Sequence, residues 1–391
     1  MGVGILSVGP NHRRKSHSIA HFVWVATASL LFWGFAEAQP APSPAQQYEL
    51  NDAHFHLTNY VQQGTDIHLF LKIMGNKVGR VALFGIPLQQ TWSYRIDGDR
   101  KPTYYLQSDA PLYYYSFTDA WIAMAYKSLA PDEQARFDPM ITGFNPADMY
   151  ATEHIRRVLE AFPGVFTGIG EFSIHKEFVS AKIAGEVASL EDPALDKILD
   201  FCAESGLLVL LHNDMDTPFP KEGAPPAYLA QMKELIKRHP ATTIIWAHTG
   251  VGRIVRPVQH HAAVLEEMLK DPAYSNLYFD ISWTEVAKYL VTSPEALKIG
   301  ADLLNRYPDR FLFGTDEVAP TNQEQYLKIY SMYAPLWKLL TPEASEKIRK
   351  GNYERLFNAA RQKVRAWEKA HLGTRAKEPQ KLSVTSIEAG K

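Results

Sequence analysis

The chain is dominated by a repeated alternation of short apolar segments with longer segments of helical periodicity. Eight short segments of β-type composition occur in succession, and a helical pattern follows each of the first seven. Continuous apolar strands that alternate with helices are typical of a parallel sheet buried on both faces. The predicted strands lie at residues 48–56, 80–86, 139–144, 165–171, 207–212, 242–248, 277–281 and 311–314.

This alternation limits the fold to two parallel architectures, a closed barrel and an open doubly wound sheet. The open sheet is disfavoured because no Gly-rich phosphate turn follows the first strand. We therefore predict a single α/β domain at residues 47–371, a (β/α)8 TIM barrel with an aromatic-rich insertion after the second strand. With 46% hydrophobic residues, the chain can bury the core that such a domain needs.

Both ends of the chain differ in composition from this domain. A basic start at 12–15, an apolar run at 22–35 and small residues at Ala36 and Ala38 predict a signal peptide at 1–38. An uncleaved anchor is the rival interpretation, but the run is shorter than the roughly 20 residues that span a bilayer. We expect a periplasmic or secreted protein without a stable membrane anchor after processing. Residues 39–46 are predicted to be a flexible linker, and 372–391 a disordered tail.

Charge and cysteine content exclude several classes of partner and site. A net charge of −2 offers no basic surplus for nucleic acid, so a small-molecule substrate is expected. Cys202 is the only cysteine, which excludes an intramolecular disulfide and a cysteine-based metal cluster. The sequence does not determine the oligomeric state, and a homo-oligomer remains one option.

Side chains that bind metals occur where the apolar runs end. Each is ambiguous alone, because an HxH pair also arises on ordinary polar strands and a lone histidine is often structural. In a barrel, however, the carboxyl ends of all strands meet at one mouth. Nitrogen and oxygen ligands suit Zn²⁺ first, and also Mn²⁺, Fe²⁺ or Co²⁺. The candidate ligands are His54 and His56 after strand one, Glu171, His212, His248 and Asp316.

These residues stand in motifs that resemble a known family. The chain is similar to the metal-dependent amidohydrolase superfamily, and within it to the amidohydrolase-related group (amidohydrolase 2) that also contains decarboxylases and lactone hydrolases. The resemblance covers nearly all of the predicted domain. Its carriers are Asp52-Ala53-His54-Phe55-His56, Gly168-Ile169-Gly170-Glu171, Leu211-His212, Ala247-His248-Thr249-Gly250, Phe313-Gly314-Thr315-Asp316 and the closing Gly351-Asn352-Tyr353-Glu354-Arg355-Leu356-Phe357.

The resemblance implies two alternative metal arrangements. With two ions, His54, His56 and Asp316 hold the first, His212 and His248 hold the second, and Glu171 bridges them. With one ion, His212 joins the first set, and His248 contacts the substrate or the attacking water. Glu171 favours two ions, although it can also serve only to orient its neighbours.

A metal-activated water needs an acid-base group beside it, and Asp316 is the candidate. A protonated or metal-held His248 is the candidate for stabilising an oxyanion. Period-two alternation places Asp52 on the face of His54 and His56, where it is either a partner of one imidazole or an ordinary carboxylate. Asp280 ends strand seven, but we leave it out of the metal ligands because the family pattern assigns that position no such role.

Loops after the strands determine specificity in a barrel. The insertion carries Trp92, Tyr94, Arg95 and three tyrosines at 113–115, which either wall the substrate pocket or pack the insertion onto the barrel. Arg253 is a candidate carboxylate or phosphate clamp, and Trp283 extends the mouth. His175 and Lys176 are weaker candidates to assist Arg253.

Three functions fit these features. The first is an exported metal-dependent hydrolase of an amide, ester, lactone or phosphoester. The second is a metal-dependent non-oxidative decarboxylase of an aromatic or unsaturated acid. The third is a non-catalytic barrel receptor, which has no need of a proton-transfer group such as Asp316.

Overall fold

A computed structural model of the chain describes residues 48–86, 89–90, 92–104, 107, 112–113, 115–177 and 188–375. All of these belong to one compact unit, residues 46–391. The predicted signal peptide, the linker, Tyr114 and residues 376–391 of the predicted tail lie outside the described residues. The last described helix continues to Arg375 and so extends past residue 371. None of the described helices combines the length and hydrophobicity that a membrane span requires.

The described residues form eleven strands, nine of them in one parallel sheet. The sheet order is β10-β9-β8-β7-β6-β5-β2-β1-β11, and β3 pairs with β4 as a separate antiparallel ribbon in the segment after β2. The strands are β1 Leu50–His56, β2 Val78–Phe84, β3 Gln89–Gln90, β4 Leu112–Tyr113, β5 Phe137–Ile141, β6 Gly168–Ser173, β7 Leu208–His212, β8 Ile244–Trp246, β9 Leu277–Asp280, β10 Phe311–Leu312 and β11 Glu317–Val318.

One continuous segment, residues 311–318, closes this sheet into a barrel. Its beginning, β10, pairs with β9, and its end, β11, pairs with β1. Between them, the Ala53 amide donates to Phe313 O at 3.0 Å, and the Asp316 amide donates to His54 O at 2.7 Å. The predicted (β/α)8 barrel is therefore confirmed.

The helices begin and end at residues with local reasons to do so. Asp66 accepts from the amides of His68 and Leu69 before the first helix, and Pro193 begins the sixth. The helices are α1 Ile67–Met74, α2 Tyr94–Asp97, α3 Thr118–Lys127, α4 Pro131–Gln134, α5 Ala151–Ala161, α6 Pro193–Ser205, α7 Leu229–Arg238, α8 His261–Lys270, α9 Thr284–Val291, α10 Pro294–Arg306, α11 Gln323–Tyr326, α12 Lys328–Met332, α13 Ala334–Trp337, α14 Pro342–Glu346 and α15 Asn352–Arg375.

The first turns of α15 plug the amino-terminal end of the barrel. Tyr353, Leu356 and Phe357 pack against the small apolar side chains inside the barrel, such as Ala53 and Ala82. The Tyr353 hydroxyl donates to Asp138 at 2.8 Å, which fixes this helix to β5. Because the plug fills one end, the opposite end, where the strands terminate, is left for the site.

We expect Phe357→Ala to destabilise the protein without affecting the site. The ring is fully buried and stacks on Tyr353 at 4.1 Å, so truncation leaves a cavity in the barrel floor. The free energy of unfolding should fall by about 3–5 kcal/mol. Denaturant titration measures this, with Leu339→Ala as the control because Leu339 is 47% exposed. Equal effects of the two changes would contradict this role for α15.

An irregularity in β1 decides which of its side chains face the barrel interior. Between Asp52 and Phe55, three residues of β1 oppose two of β2. The extra residue is typical of a β-bulge and interrupts strict alternation. Asp52 therefore lies on the outer side, where it accepts from the Tyr326 hydroxyl at 2.9 Å, while His54 and His56 point inward against Phe84. The prediction that Asp52 shares the histidine face was wrong.

Candidate metal centre

His54, His56, Glu171 and Asp316 form the first cluster at the carboxyl ends of the strands. Their candidate ligand atoms all lie within 4.8 Å of one another. Asp316 Oδ1 lies 3.2 Å from His54 Nε2 and 3.0 Å from His56 Nε2. Glu171 Oε2 completes the group at 3.9 and 3.5 Å from the same two nitrogens. The structure thus brings together residues from strands one, four and eight, as predicted.

Glu171, His212 and His248 form a second cluster that shares the Glu171 carboxylate. Glu171 Oε1 lies 2.7 Å from His212 Nδ1 and 3.4 Å from His248 Nε2. The two oxygens of one carboxylate therefore face two different sets of imidazoles. All six predicted ligands converge on one place, although their roles as ligands stay predictions.

Hydrogen bonds from outside the two clusters orient the imidazoles. Asp280 Oδ2 lies 2.9 Å from His54 Nδ1, and Asp214 Oδ1 lies 3.0 Å from His212 Nε2. Each carboxylate faces the ring nitrogen that points away from the clusters, so each fixes a ring plane. Sequence reasoning did not assign these roles, although Asp280 ends its strand as the candidate ligands do.

Asp52 does not orient an imidazole. Its carboxylate accepts from the Thr315 amide and hydroxyl at 2.8 and 2.6 Å, and from the His54 amide at 3.0 Å. Burial raises the pKa of Asp52 to about 6, with the hydrogen bonds opposing this rise. Asp52 instead ties the backbone of β1 to the segment that carries Asp316.

The cluster residues fit a divalent cation. His54 Nε2 and His248 Nε2 are buried, and neither has a hydrogen-bond partner among the described residues. His54 Nε2 approaches Asp316 without the alignment of a hydrogen bond. Buried imidazole nitrogens without hydrogen bonds, facing carboxylate oxygens, are the donor set that Zn²⁺ and related ions bind.

The electrostatics of the cluster favour charged carboxylates. Burial opposes ionisation of Glu171, but Lys176 and the neighbouring histidines hold the pKa of this carboxyl well below its usual value. Burial also opposes ionisation of Asp316, yet His54 and His56 lower its pKa. Burial lowers the pKa of His248, so this imidazole is neutral at pH 7. The ionised carboxylates and the neutral His248 are in the protonation states that metal binding requires. Against the effect of burial, the neighbouring carboxylates raise the pKa of His54 and of His212, so an ion that binds there must displace protons from these two imidazoles.

Four residues at or beside the clusters have a positive φ angle, in the left-handed region of backbone space. This conformation costs a non-glycine residue roughly 1–3 kcal/mol, and it occurs preferentially at functional sites. The surrounding hydrogen bonds must outweigh this cost. The residues are His248 (φ 55°), Thr249 (φ 53°), Trp283 (φ 75°) and Asp316 (φ 52°).

A cavity of about 180 Å³ opens above the first cluster, with His56 and Asp316 in its wall. Arg253 and Lys176 line it from one side, and both cations lie over the Trp283 ring, at 5.6 and 5.9 Å from its centroid. Arg253 also lies 5.5 Å from the centroid of Tyr104. The cavity therefore combines flat aromatic walls with two cations.

The other predicted substrate residues lie elsewhere. Trp92 and Tyr94 are 51% and 75% exposed, and neither they nor Arg95 line this cavity. Trp92 Nε1 donates to Gly98 O at 3.1 Å, within its own turn. His175 stacks on Tyr228 at 3.7 Å and is also absent from the cavity wall. Among the described residues, the predicted substrate contacts that line this cavity are Arg253, Trp283 and Lys176.

Solved structures that resemble this chain share low identity with it. A putative 2-pyrone-4,6-dicarboxylic acid hydrolase from Pseudomonas putida is 13% identical to this chain. The alignment covers 80% of this chain and 98% of the hydrolase, with a TM-score of 0.47. The 5-carboxyvanillate decarboxylase of Sphingomonas paucimobilis is 13% identical, with 80% and 99% coverage and a TM-score of 0.46. A zinc-bound amidohydrolase from Burkholderia multivorans is 12% identical, with 79% and 99% coverage and a TM-score of 0.48.

No curated protein sequence matches the chain significantly. The sequence profile of the family described as Amidohydrolase, however, matches residues 52–359. This range begins at Asp52 in β1 and ends within α15, so it includes all of the barrel except the first two residues of β1, and all six candidate ligands. The chain belongs to the amidohydrolase family and is an enzyme of that superfamily.

Proposed function

We propose that this protein is a metal-dependent hydrolase that acts on an amide, ester, lactone or phosphoester of a small molecule. The observation that carries the proposal is the Glu171 carboxylate, which faces two sets of imidazoles with its two oxygens. His54, His56 and Asp316 would hold one ion. His212 and His248 would hold a second, with Glu171 between the two. Zinc is our first choice, and Mn, Fe or Co would suit the same donors.

Each catalytic role falls to a named side chain. A bound divalent ion supplies an acidified water and a Lewis acid for the carbonyl or phosphoryl oxygen of the substrate. Asp316 lies in the cavity wall, where its carboxylate can take a proton from water and return it to the leaving group. His248, buried beside Glu171, would act through the ion that it helps to hold, and that ion would favour the negative charge that develops on the substrate.

The direct test is hydrolysis of a panel of phosphoesters, lactones and amides by the purified protein. We expect turnover of at least one class, loss of turnover after chelation, and recovery on adding zinc. Turnover that survives complete removal of metal would contradict the proposal.

The second candidate is a decarboxylase of an aromatic or unsaturated acid. It is favoured by the cavity, which presents Arg253 and Lys176 over the Trp283 ring and so suits a flat anion. Evolution of CO₂ without hydrolysis products would establish it. The shared Glu171 carboxylate makes hydrolysis our first proposal.

Arg253→Gln is expected to weaken the binding of an anionic substrate. Gln at this position has no charge, and a hydrogen bond to a charged group contributes about 1.5–3 kcal/mol. KM should therefore rise about 10- to 100-fold while kcat changes little. Steady-state kinetics on a substrate found in the panel measures this, with Arg95→Gln, outside the cavity wall, as the control. An unchanged KM for Arg253→Gln would remove Arg253 from substrate binding.

We also propose that the protein is exported to the periplasm or secreted. This rests on the composition of residues 1–38 alone. Protein recovered outside the cytoplasm should begin at Gln39 by intact mass. An intact Met1 terminus on that protein would contradict processing after Ala38.

A further inference from the structure

Asp280 and Ser282, at the end of β9, contact two candidate ligands that come from other strands. Both residues are fully buried, as are His54 and His248. Asp280 Oδ2 lies 2.9 Å from His54 Nδ1, and Ser282 Oγ lies 2.9 Å from His248 Nδ1. The two rings stack at 4.8 Å, so one short stretch of chain holds a pair of imidazoles.

The hydrogen bonds around Asp280 Oδ1 determine where the serine proton lies. This oxygen accepts from the backbone amides of His248 and Ser282, at 2.8 and 3.2 Å. Asp280 Oδ1 is therefore an acceptor. Ser282 Oγ lies 2.5 Å from this oxygen and must donate its single hydroxyl proton to Asp280.

Because that proton is committed, Ser282 Oγ has only lone pairs left for its other neighbours. It lies 2.9 Å from His248 Nδ1 and 3.2 Å from His54 Nδ1. Both ring nitrogens must therefore carry a proton and donate it. Asp280 Oδ2 is a second acceptor near His54 Nδ1, and it likewise requires a proton on this nitrogen.

We infer that Asp280 and Ser282 are positioning residues that fix a proton on Nδ1 of both His54 and His248, so that Nε2 of His248 faces Glu171 and Nε2 of His54 faces Asp316. Two observations agree with this assignment. Neither Nε2 atom has a hydrogen-bond partner among the described residues, and His248 Nε2 lies 3.4 Å from Glu171 Oε1. Two atoms with lone pairs at this distance attract each other only when a cation lies between them.

The assignment limits what His248 can do. A neutral imidazole with a proton on Nδ1 binds a metal ion, or accepts a proton, through Nε2. It does not donate a proton to the substrate from that atom. In this state His248 would act as a ligand or as a base, and not as a protonated group that stabilises an oxyanion. This conclusion about its role rests on the proposed function, whereas the tautomer itself does not.

The tautomer is measurable on the protein labelled with ¹⁵N-histidine. Long-range ¹H–¹⁵N correlation spectra at pH 8, with His248→Gln to assign the signals, should show a proton on Nδ1 and none on Nε2 of His248. We expect this pattern in metal-free and zinc-loaded protein, and for His54 in the zinc-loaded form. A proton on Nε2 of His248 in the metal-free wild type would overturn the inference.

The matched variants are Ser282→Ala and Ser205→Ala. Ser205 is also a buried serine, but its hydroxyl donates to Phe201 O within α6, far along the chain from the site. Ser282→Ala should lose the preference for the Nδ1 proton on His248 and bind zinc about tenfold or more weakly in competition with a chelator. Ser205→Ala should match the wild type in both readouts. Zinc affinity of Ser282→Ala within twofold of the wild type would overturn the positioning role.

Failure of the proposed function would look different. If the wild type bound no zinc but showed the Nδ1 proton on His248 in the metal-free protein, the hydrogen-bond assignment would stand and the metal centre would be wrong. Asp280→Asn is a stronger test, because an amide cannot accept with both of its heavy atoms. Ser282→Ala keeps the inference testable if that variant does not fold.

Discussion

Glu171→Gln is expected to reduce the bound metal from about two ions per chain to about one. The carboxylate lies between the two clusters, with Oε2 facing His54 and His56 and Oε1 facing His212 and His248. Glutamine keeps the shape of the side chain but loses the charge and one acceptor oxygen. A neutral amide binds a divalent cation poorly, and two cations close together need an anion between them.

Elemental mass spectrometry on purified protein, wild type and variant, measures this stoichiometry. The matched control is Glu368→Gln, since Glu368 is 7% exposed and also hydrogen-bonded, but its partners are the Gly164 amide and Arg365. That variant should retain the metal content of the wild type. About one ion in both wild type and Glu171→Gln would remove Glu171 from the ligands. It would also release His248 for the substrate and raise the decarboxylase to parity with the hydrolase.

Asp316→Asn is expected to lower kcat by about 100- to 10,000-fold, the usual contribution of a general acid-base group. The carboxylate lies 3.2 and 3.0 Å from the Nε2 atoms of His54 and His56 and lines the cavity. The asparagine amide has nearly the same shape but cannot accept a proton from water. KM should change less than kcat, because the lost interaction develops in the transition state.

Kinetics on a panel substrate, paired with metal analysis of the same sample, separates catalysis from metal binding. Asp302→Asn is the control, because Asp302 is an exposed carboxylate on α10. A variant that retains at least one ion and has lost turnover supports the acid-base role. Full biological effect with full metal content in Asp316→Asn would instead favour the receptor interpretation, in which the barrel binds a ligand without chemistry.

Much of the fold and most of the candidate ligands could be predicted because they depend on local patterns. The helical pattern that follows the fourth predicted strand covers residues 193–205 and agrees with α6, which Pro193 begins and Gly206 follows. Strands three and four were shifted by two or three residues, since β5 is Phe137–Ile141 and β6 is Gly168–Ser173. An apolar run predicts the presence of a strand more reliably than it predicts the residue at which the strand ends. An error of two or three residues in the end of a strand still leaves the residues that follow the apolar run at the mouth of the barrel.

Contacts between distant strands could not be predicted in this way. His54 and Asp280 are 226 residues apart, and Ser282 and His248 are 34 residues apart, each just after a different strand. Nothing in the local sequence of Asp280 distinguishes a carboxylate that binds metal from one that orients a ligand. The distinction depends on which side of the imidazole ring it meets, and only closure of the barrel sets that geometry.

The sequence by itself determined the barrel and the six residues that converge at its mouth, because strand periodicity, helix limits and residue type are properties of neighbouring residues. Only the tertiary structure decided that Asp52 points outward, that Asp280 and Ser282 hold two imidazoles, and that Arg253 rather than Trp92 reaches the cavity. The physical reason is the same in each case. One extra residue in β1 reverses the face of a side chain, and loops from different strands meet only once the sheet has closed.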